Sequence, residues 1–320
     1  MEIISAYICA MHRIYILLNR MKWVFFNKIP YSKRCWDLYQ YFFLRSIKKA
    51  IETDSDAISQ YQLLDLIILL RWYSFNNKHK SALRCWRILT QAYCDDTLIK
   101  LISKCGNTDF KINEYVSIPA ELKCYFNGKR VVILGPAENS NSSLFHDLDV
   151  LCDFGNTWLN PVNISTVSYI RGKQSRTLQN KTLKSKVPSR VEFIIQKKGS
   201  VNIEKNLNRQ IPIVTLSSLV KPSQIGSLNG VQDLIVTLYG AGAQSVELRG
   251  VNFGLVNSYV TNYKEEKNLD FTQGFGAHPP VVQFLLTKAF YEKGFVIPDY
   301  CTKKVLDLSE IQFCEALQNV

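Results

Sequence analysis

The sequence has few of the residues from which metal and redox sites are built. It contains four histidines and nine cysteines, and no two cysteines stand in a CxxC spacing. Because structural zinc sites use short Cys and His spacings, the sequence predicts no metal site. An odd number of thiols without such spacing indicates mostly buried, free cysteines in a reducing cytoplasm rather than a disulfide framework.

The sequence also lacks the two common phosphate-binding fingerprints, GxGxxG and GxxxxGK[ST]. Of its 320 residues, 47% are apolar and 21% charged, a globular balance that excludes wholesale disorder. The net charge of +12 predicts anionic partners: nucleotides, acidic sugars, lipid headgroups or nucleic acid. No RNP, KH or helix-turn-helix signature is present, which argues against nucleic acid.

The N-terminal residues lack an apolar run long enough to cross a bilayer. They have no small-residue cleavage site, and basic or histidine side chains interrupt them, so they do not form a signal peptide. These interruptions are His12, Arg13, Arg20, Lys22 and Lys28. We therefore predict a cytoplasmic protein. The mixture of cations and aromatic residues also suits peripheral contact with the inner face of the plasma membrane; packing on the protein's own core is the alternative.

Glycine is absent before Gly106, and residues 1–105 contain a single proline, Pro30. Apolar residues recur at three and four positions in WDLYQYFFLRSIKKAI, ISQYQLLDLIILLRWYSF and ALRCWRILTQAYCDDTLIKLISKC. That spacing is typical of amphipathic helices. We predict an all-helical N-terminal domain over residues 1–125.

Beyond residue 125 the pattern changes to short β-rich runs separated by helical stretches. The runs are RVVILG, DVLCDFG, STVSYI, VEFIIQ, IPIVTL and SVELRGVNFG, and the clearest helices are NGVQDLIVTLYGAGA and PPVVQFLLTKAFYEKG. This alternation predicts an α/β domain with a mainly parallel, Rossmann-like sheet over residues 126–320. In such sheets, ligands bind beyond the carboxyl ends of the strands.

Small and polar residues follow the first two predicted strands. Gly135, Pro136 and Ala137 form a turn after the first strand, where a glycine would let the backbone approach a ligand closely. Asn156 and Thr157 follow the second strand, and an Asn side chain can hold a ribose hydroxyl, a base edge or a phosphate oxygen. A plain strand-turn-helix connection is the alternative.

Two further clusters stand near the starts of predicted helices. Asn229 and Gly230 open one helix, and a helix N-terminus attracts anions. His278 lies in a glycine-rich loop before a helix that begins with two prolines. Histidine can accept a proton near neutral pH, which makes His278 a candidate general base, with a structural role as the alternative.

In this order, the four clusters resemble bacterial sialyltransferases of glycosyltransferase family 42. The resemblance is carried by ILGPAE, DVLCDFGNT, NGVQDLIVTLYGAGAQSVELRGVNF and GAHPP, within residues 129–295. The N-terminal helical region has no part in it. The resemblance implies a modified GT-A fold without a metal-binding DxD, a CMP-activated sugar as donor, and no metal or other cofactor.

The resemblance also implies roles for residues. His278 would be the catalytic base. The donor nucleotide would be bound by Gly135, Pro136, Ala137, Asn156, Thr157, Asn229, Gly230 and Asn252. The sugar would be an acidic 3-deoxy-ulosonic acid, sialic acid or Kdo. It would pass to a surface glycan such as capsule, lipopolysaccharide or lipooligosaccharide, with the helical domain docking to the membrane or the acceptor.

The sequence departs from the family pattern at three places. Ile133 and Leu134 stand where the family has its first Gly-Asn. Asn229 stands where the family has Ser, and Gly254 stands where it has a Tyr that grips the donor phosphate. Tyr259 or Tyr263 would have to take over that contact.

A basic segment supports an acidic ligand independently of the resemblance. Residues 154–191 contain no Asp or Glu but several cations, among them Arg171 and Arg176. Such a segment suits a phosphate, a sugar carboxylate or an anionic acceptor; a solvated basic loop is the alternative.

Two other interpretations stay open. Asp147 and Asp149 form a DxD, which would hold a metal ion and a UDP-sugar, although it starts a predicted strand instead of ending one. The second is a non-catalytic scaffold.

Overall fold

A computed structural model describes residues 63–92, 94–105, 107, 110–135, 148–154, 166–170, 189–197, 210–216, 223, 225, 228–251, 253–255 and 278–319. The chain forms two compact units: residues 1–94 with 270–279, and residues 95–269 with 280–320.

The second unit contains a seven-stranded sheet in which every neighbouring pair of strands is parallel. The strands, in chain order, are β1 Arg130–Leu134, β2 Val150–Phe154, β3 Thr166–Ile170, β4 Val191–Lys197, β5 Ile213–Leu216, β6 Ser245–Arg249 and β7 Val296–Pro298. Their order across the sheet is β5-β4-β3-β2-β1-β6-β7. The predicted α/β class with a parallel sheet is confirmed, and each of the six predicted strands forms.

The described helices are α1 Leu63–Phe75, α2 His79–Ala92, α3 Thr97–Lys104, α4 Ala120–Phe126, α5 Gly230–Gly240, α6 Pro280–Glu292, α7 Tyr300–Leu306 and α8 Glu310–Gln318. A 3-10 turn covers Ile112–Glu114. Among these residues no helix is long and apolar enough to cross a membrane.

Side-chain caps determine where several helices begin. Asp96 accepts hydrogen bonds from the backbone of Leu98 and Ile99, which starts α3 and separates it from α2. Ser309 and Gln312 form a reciprocal capping box at the start of α8. Because these side chains satisfy backbone N–H groups that have no partner within the helix, they set the first residue of each helix.

The core of the second unit is built on the interior strand β1 and on an aromatic cluster. Residues 131–134 of β1 are buried, as expected for an apolar run in a parallel sheet covered on both faces. Phe284 of α6 stacks on Phe313 of α8 with ring centroids 4.1 Å apart. This stack fixes α8 against α6.

The described part of the first unit contains the helical hairpin formed by α1 and α2. Cys85, Trp86 and Leu89 of α2 are buried, as is His79 at its first position. Burial lowers the pKa of His79 from 6.5 to about 4. The predicted all-helical domain over residues 1–125 stays a prediction: residues 1–62 lie outside the described part, and α3 and α4 belong to the same unit as the sheet.

Candidate functional site

The strand order of the sheet reverses between β1 and β6, and two glycines follow these strands. Gly135 comes directly after β1 and Gly250 directly after β6. The backbone N–H of Gly135 donates to the carbonyl of Arg249 over 2.7 Å. Because the strands are parallel, both glycines lie at the carboxyl edge, at the point where open α/β sheets bind ligands.

Gly135 is required by the packing of this edge. A Cβ at this position would lie 2.7 Å from the carbonyl carbon of Gly250 and 2.8 Å from Cγ2 of Val251. Both distances are shorter than atoms in contact allow. Gly135 thus admits the backbone of the neighbouring strand end, and its predicted close approach to a ligand stays a prediction.

A carboxylate at the start of α7 holds Gly250 in place. Asp299 Oδ2 accepts the backbone N–H of Gly250 over 2.9 Å, and its Oδ1 accepts the N–H of Thr302 over 2.7 Å. Gly250 has a φ of 64°, a conformation that glycine adopts without cost. The same carboxylate therefore caps α7 and positions the turn that leaves β6.

The chain after this turn is held in uncommon backbone conformations. Phe253 has a φ of 54° and Gly254 a φ of 90°. A positive φ is costly for an aromatic residue, and such residues cluster at functional sites. The ring of Phe253 packs edge-on against Phe284 and Phe313, with centroids 6.0 and 6.2 Å away. These contacts hold the segment 253–255 in one arrangement beside the carboxyl edge.

The N-terminus of α5 lies at the same edge of the sheet. Asp233, in its first turn, forms an ion pair with Lys197, the last residue of β4. At the other end of α5, the carbonyl of Gly242 accepts the N–H of Gly128, shortly before β1 begins. The helix therefore runs antiparallel to the strands, and its N-terminus joins Gly135 and Gly250 at the carboxyl edge.

Asn229 caps α5 with its own side chain. Its Oδ1 accepts the N–H groups of Val231 and Gln232 over 3.0 and 3.2 Å. Its backbone N–H donates to Oε1 of Gln283, in the first turn of α6, over 3.2 Å. The backbone N–H groups of residues 231 and 232 are therefore already hydrogen-bonded to Asn229. An anion at this helix end would be attracted by the helix dipole but would find these two N–H groups occupied.

A buried polar network joins α5 to α6 behind this helix end. Gln232 Nε2 donates to the hydroxyl of Thr287 over 2.7 Å, and that hydroxyl donates to the carbonyl of Gln283 over 2.9 Å. All three side chains are buried. Because buried hydrogen bonds demand specific geometry, the network fixes the first turns of the two helices relative to each other.

A second charged pair lies on β6 itself. Arg249 Nε donates to Glu247 Oε1 over 2.6 Å. The two side chains share one face of the sheet with their register partners Leu134 and Val132 on β1. The guanidinium group of Arg249 therefore lies on the strand next to Leu134, the residue that precedes Gly135.

The DxD interpretation is not favoured by the position of Asp149. This residue directly precedes β2, and its Oδ2 accepts the backbone N–H of Arg130 over 2.7 Å. It therefore lies at the amino edge, opposite Gly135 and Gly250. Asp147 lies outside the described residues, and no group of three or more metal-ligating side chains occurs in the part of the chain that the structure describes.

His278 is partly buried and stands two positions before α6. It belongs to the first unit, whereas Gly135, Asn229 and Gly230 belong to the second. The remaining predicted site residues lie outside the described part of the chain: Pro136, Ala137, Asn156, Thr157, Arg171, Arg176, Asn252, Tyr259 and Tyr263.

Two residues that organise this edge, Asp299 and Gln283, were not predicted from the sequence. The signal for Asp299 was available, since a Pro-Asp pair before a short apolar-periodic stretch is typical of a helix start. No local signal identifies Gln283, because its partner Asn229 lies far away in sequence.

Comparisons of the chain with protein-family models, with curated proteins and with solved structures find no match.

Proposed function

We propose that the protein is a glycosyltransferase that moves an acidic 3-deoxy-ulosonic sugar, sialic acid or Kdo, from a CMP-activated donor to a surface-glycan acceptor. The acceptor would be capsule, lipopolysaccharide or lipooligosaccharide. The reaction would need no metal ion. The protein would work in the cytoplasm, with peripheral contact to the inner face of the plasma membrane.

The observation that carries this proposal is the reversal of strand order between β1 and β6. It supports a Rossmann-like, sialyltransferase-type arrangement, in which the nucleotide lies across the crevice at the reversal. Gly135, Gly250 and the N-terminus of α5 all lie at that edge. The resemblance implies a donor at the same segments, ILGPAE and NGVQDLIVTLYGAGAQSVELRGVNF.

In this proposal the donor phosphate faces Asn229 and Gly230. Because the amides of 231 and 232 are engaged by Asn229 Oδ1, the phosphate would be held by the helix dipole and by donors such as the Asn229 side-chain amide. CMP is a good leaving group, so positioning and charge stabilisation would supply most of the rate enhancement.

His278 would remove the proton from the acceptor hydroxyl, which then attacks the anomeric carbon as CMP departs. His278 precedes Gln283 by five positions in the chain, and Gln283 binds the backbone of Asn229. One displacement with a base on the acceptor side inverts the anomeric centre. A retained configuration would exclude this role of His278.

The first test is a thermal-shift titration with CMP, CDP, UDP and GDP, each with and without EDTA. We expect stabilisation by CMP that survives EDTA. A shift with UDP that EDTA abolishes would favour a metal-dependent enzyme instead. No shift with any nucleotide would favour a scaffold.

The second test is transfer from CMP-sialic acid and CMP-Kdo by the His278→Ala variant. We expect turnover to fall by about a hundredfold or more, because a general base typically contributes that much. The CMP-induced thermal shift should persist, which separates loss of the base from loss of the donor site. Near-normal turnover would contradict the assignment.

A further inference from the structure

Asp233 is a buried carboxylate in the first turn of α5, and Lys197 is a cation that pairs with it. Asp233 is 0% exposed, and its Oδ2 accepts a hydrogen bond from Nζ of Lys197 at the end of β4. A carboxylate in the first turn of a helix gains from the helix dipole, but a buried charge also requires an opposite charge. The pair therefore fixes an ammonium group at the carboxyl edge of the sheet.

Stability alone does not account for this ion pair. Replacement of a buried ion pair by apolar residues of similar volume is often neutral or stabilising, because burial removes the hydration of both charges. The packing of α5 against β4 thus gains little from having charges at this position. The pair does, however, hold a long and flexible lysine side chain in one place.

The ammonium group of Lys197 has donors left for a ligand. An ammonium has three N–H donors, and within the described part of the chain Asp233 is the one hydrogen-bond partner of Lys197. The Lys197 side chain is 21% exposed, so a ligand can reach part of it. An anion bound to the remaining donors would lie closer to the ammonium than to the carboxylate, and the net interaction would be attractive.

This ammonium lies close to the helix end at which the donor phosphate is proposed to bind. Asp233 follows the cap Asn229 by four positions, which is about 6 Å along the helix axis. Because α5 has 11 residues and begins at the carboxyl edge, the positive end of its dipole and the ammonium of Lys197 act on the same region.

The position of β4 in the sheet also suits a nucleotide that lies along the carboxyl edge. β4 is three strands away from β1, and neighbouring strands are about 4.8 Å apart, so the two strand ends are about 14 Å apart. A nucleotide with its nucleoside at the reversal between β1 and β6 would extend its phosphate towards Lys197.

A buried polar atom in the same helical turn also points to a bound group. Gln232 is fully buried, and its Oε1 has no hydrogen-bond partner among the described residues. Its Nε2 donates to Thr287, so an exchange of the two amide atoms would leave the nitrogen without a partner instead. Since buried polar groups nearly always have partners, the first turn of α5 has hydrogen-bonding capacity that the described residues do not use.

We propose that Lys197 binds the phosphate of a nucleoside monophosphate, free or esterified to a sugar, and that Asp233 positions it. This inference rests on the proposed nucleotide-binding function. None of the residues expected to bind the donor nucleotide carries a charge, and Lys197 supplies one. Because negative charge grows on the phosphate as CMP leaves the sugar, the contact is stronger in the transition state than in the bound donor.

The test compares the affinities of the full chain for CMP and for cytidine, which lacks the phosphate. The paired variant Lys197→Met with Asp233→Asn removes the cation without leaving a buried charge, so it should fold. We expect it to bind CMP about tenfold or more weakly, because a hydrogen bond to a charged group contributes about that factor, and to bind cytidine as the native chain does. Ligand-observed NMR measures both affinities, and circular dichroism establishes folding.

Two further variants serve as controls. Lys123→Met removes the same charge from an exposed position on α4, the helix that precedes β1, and should leave both affinities unchanged. Asp233→Asn alone keeps the cation but removes the residue that positions it, so the preference for CMP over cytidine should decrease but persist. An unchanged or increased preference would exclude the positioning role of Asp233.

UMP and GMP, with their nucleosides, are titrated in parallel to separate this inference from the proposed function. The inference is overturned if the native chain binds none of the three nucleotides more tightly than its nucleoside, or if the paired variant keeps the native preference. In the second case CMP binding itself stands, and with it the support for the transferase. If the native chain binds UMP or GMP but not CMP, and the paired variant loses that binding, the phosphate contact stands and the CMP-dependent function fails.

Discussion

The backbone N–H of Gly250 donates to the carboxylate of Asp299, 49 residues further along the chain, over 2.9 Å. This hydrogen bond ties the end of β6 to the start of α7. The geometry of the proposed ligand edge therefore also depends on Asp299 at the start of α7, a residue for which we predicted no part in the site.

Replacement of Asp299 by Ala should lower the free energy of unfolding by about 2 kcal/mol, because a helix cap and a charge-assisted hydrogen bond are lost together. Asp307→Ala is the control, since that carboxylate is exposed and pairs with Lys303 within the same helical region. Denaturant titration measures the free energy of unfolding of both variants. Equal effects of the two changes would mean that the cap and the bond to Gly250 together contribute no more than an exposed ion pair does.

Gly135→Ala should destabilise the second unit by about 2 kcal/mol or more, because the new Cβ meets the backbone of Gly250 rather than a flexible side chain. The control is Gly128→Asn. Gly128 has a φ of 73° with no atom within 4 Å of a Cβ, and Asn tolerates that conformation. If Gly135→Ala folds with native stability, the strand ends are further apart than described.

Asn229→Asp distinguishes the role of Asn229 as a helix cap from its proposed role in binding the donor phosphate. Aspartate caps a helix as well as asparagine does and gains from the helix dipole, so the fold should be as stable or more so. A negative charge next to the proposed phosphate should weaken CMP binding about tenfold, as expected for like charges at short range. Asn229→Ser, a neutral cap that also lacks the side-chain amide, should bind CMP more weakly than the native chain but more tightly than Asn229→Asp does, because it adds no negative charge. Calorimetric titration measures the affinity of each variant for CMP. Unchanged affinity in Asn229→Asp would exclude a phosphate at this helix end.

His79 makes the stability of the first unit depend on pH. Its pKa is lowered from 6.5 to about 4 by burial, so the unfolded chain binds the proton more readily than the folded one. The contribution is fully present above pH 6.5 and is lost as the pH falls from 6.5 to about 4, by roughly 3 kcal/mol in total.

Tryptophan fluorescence during denaturant unfolding reports mainly on this unit, because four of the five tryptophans belong to it: Trp23, Trp36, Trp72 and Trp86. His79→Gln has no titrating group at this position, so its stability should change less between pH 6.5 and pH 4 than that of the native chain. Parallel pH profiles of the two proteins would show that His79 does not titrate in this range.

Local patterns were sufficient to predict six of the seven strands, and the helices α5 and α6, of the sheet unit. The apolar run at 131–134 and the Asn229–Gly230 helix start both formed where the sequence indicated. The short strand β7 was missed, because three residues that end in Pro298 carry too little pattern to distinguish a strand from a loop.

The candidate site could be predicted only in part, because its geometry depends on contacts distant in sequence. Gly135 was identified as important, but the Gly250 carbonyl that requires it lies over a hundred residues away. Asp299 and Gln283 likewise bind partners that are distant in the sequence, so the residues around them do not indicate which groups they bind.

The interior strand β1 has two neighbours that lie at very unequal distances from it in the chain. Its partner β2 follows within about twenty residues, but the register pair Val131 and Val246 on its other side is separated by 115 positions. At ribosomal rates of about 5 to 20 residues per second, one edge of β1 stays open for roughly 6 to 23 seconds during synthesis. The nascent chain therefore exposes the unpaired backbone groups of an apolar strand, which makes that interval sensitive to aggregation and to chaperone binding.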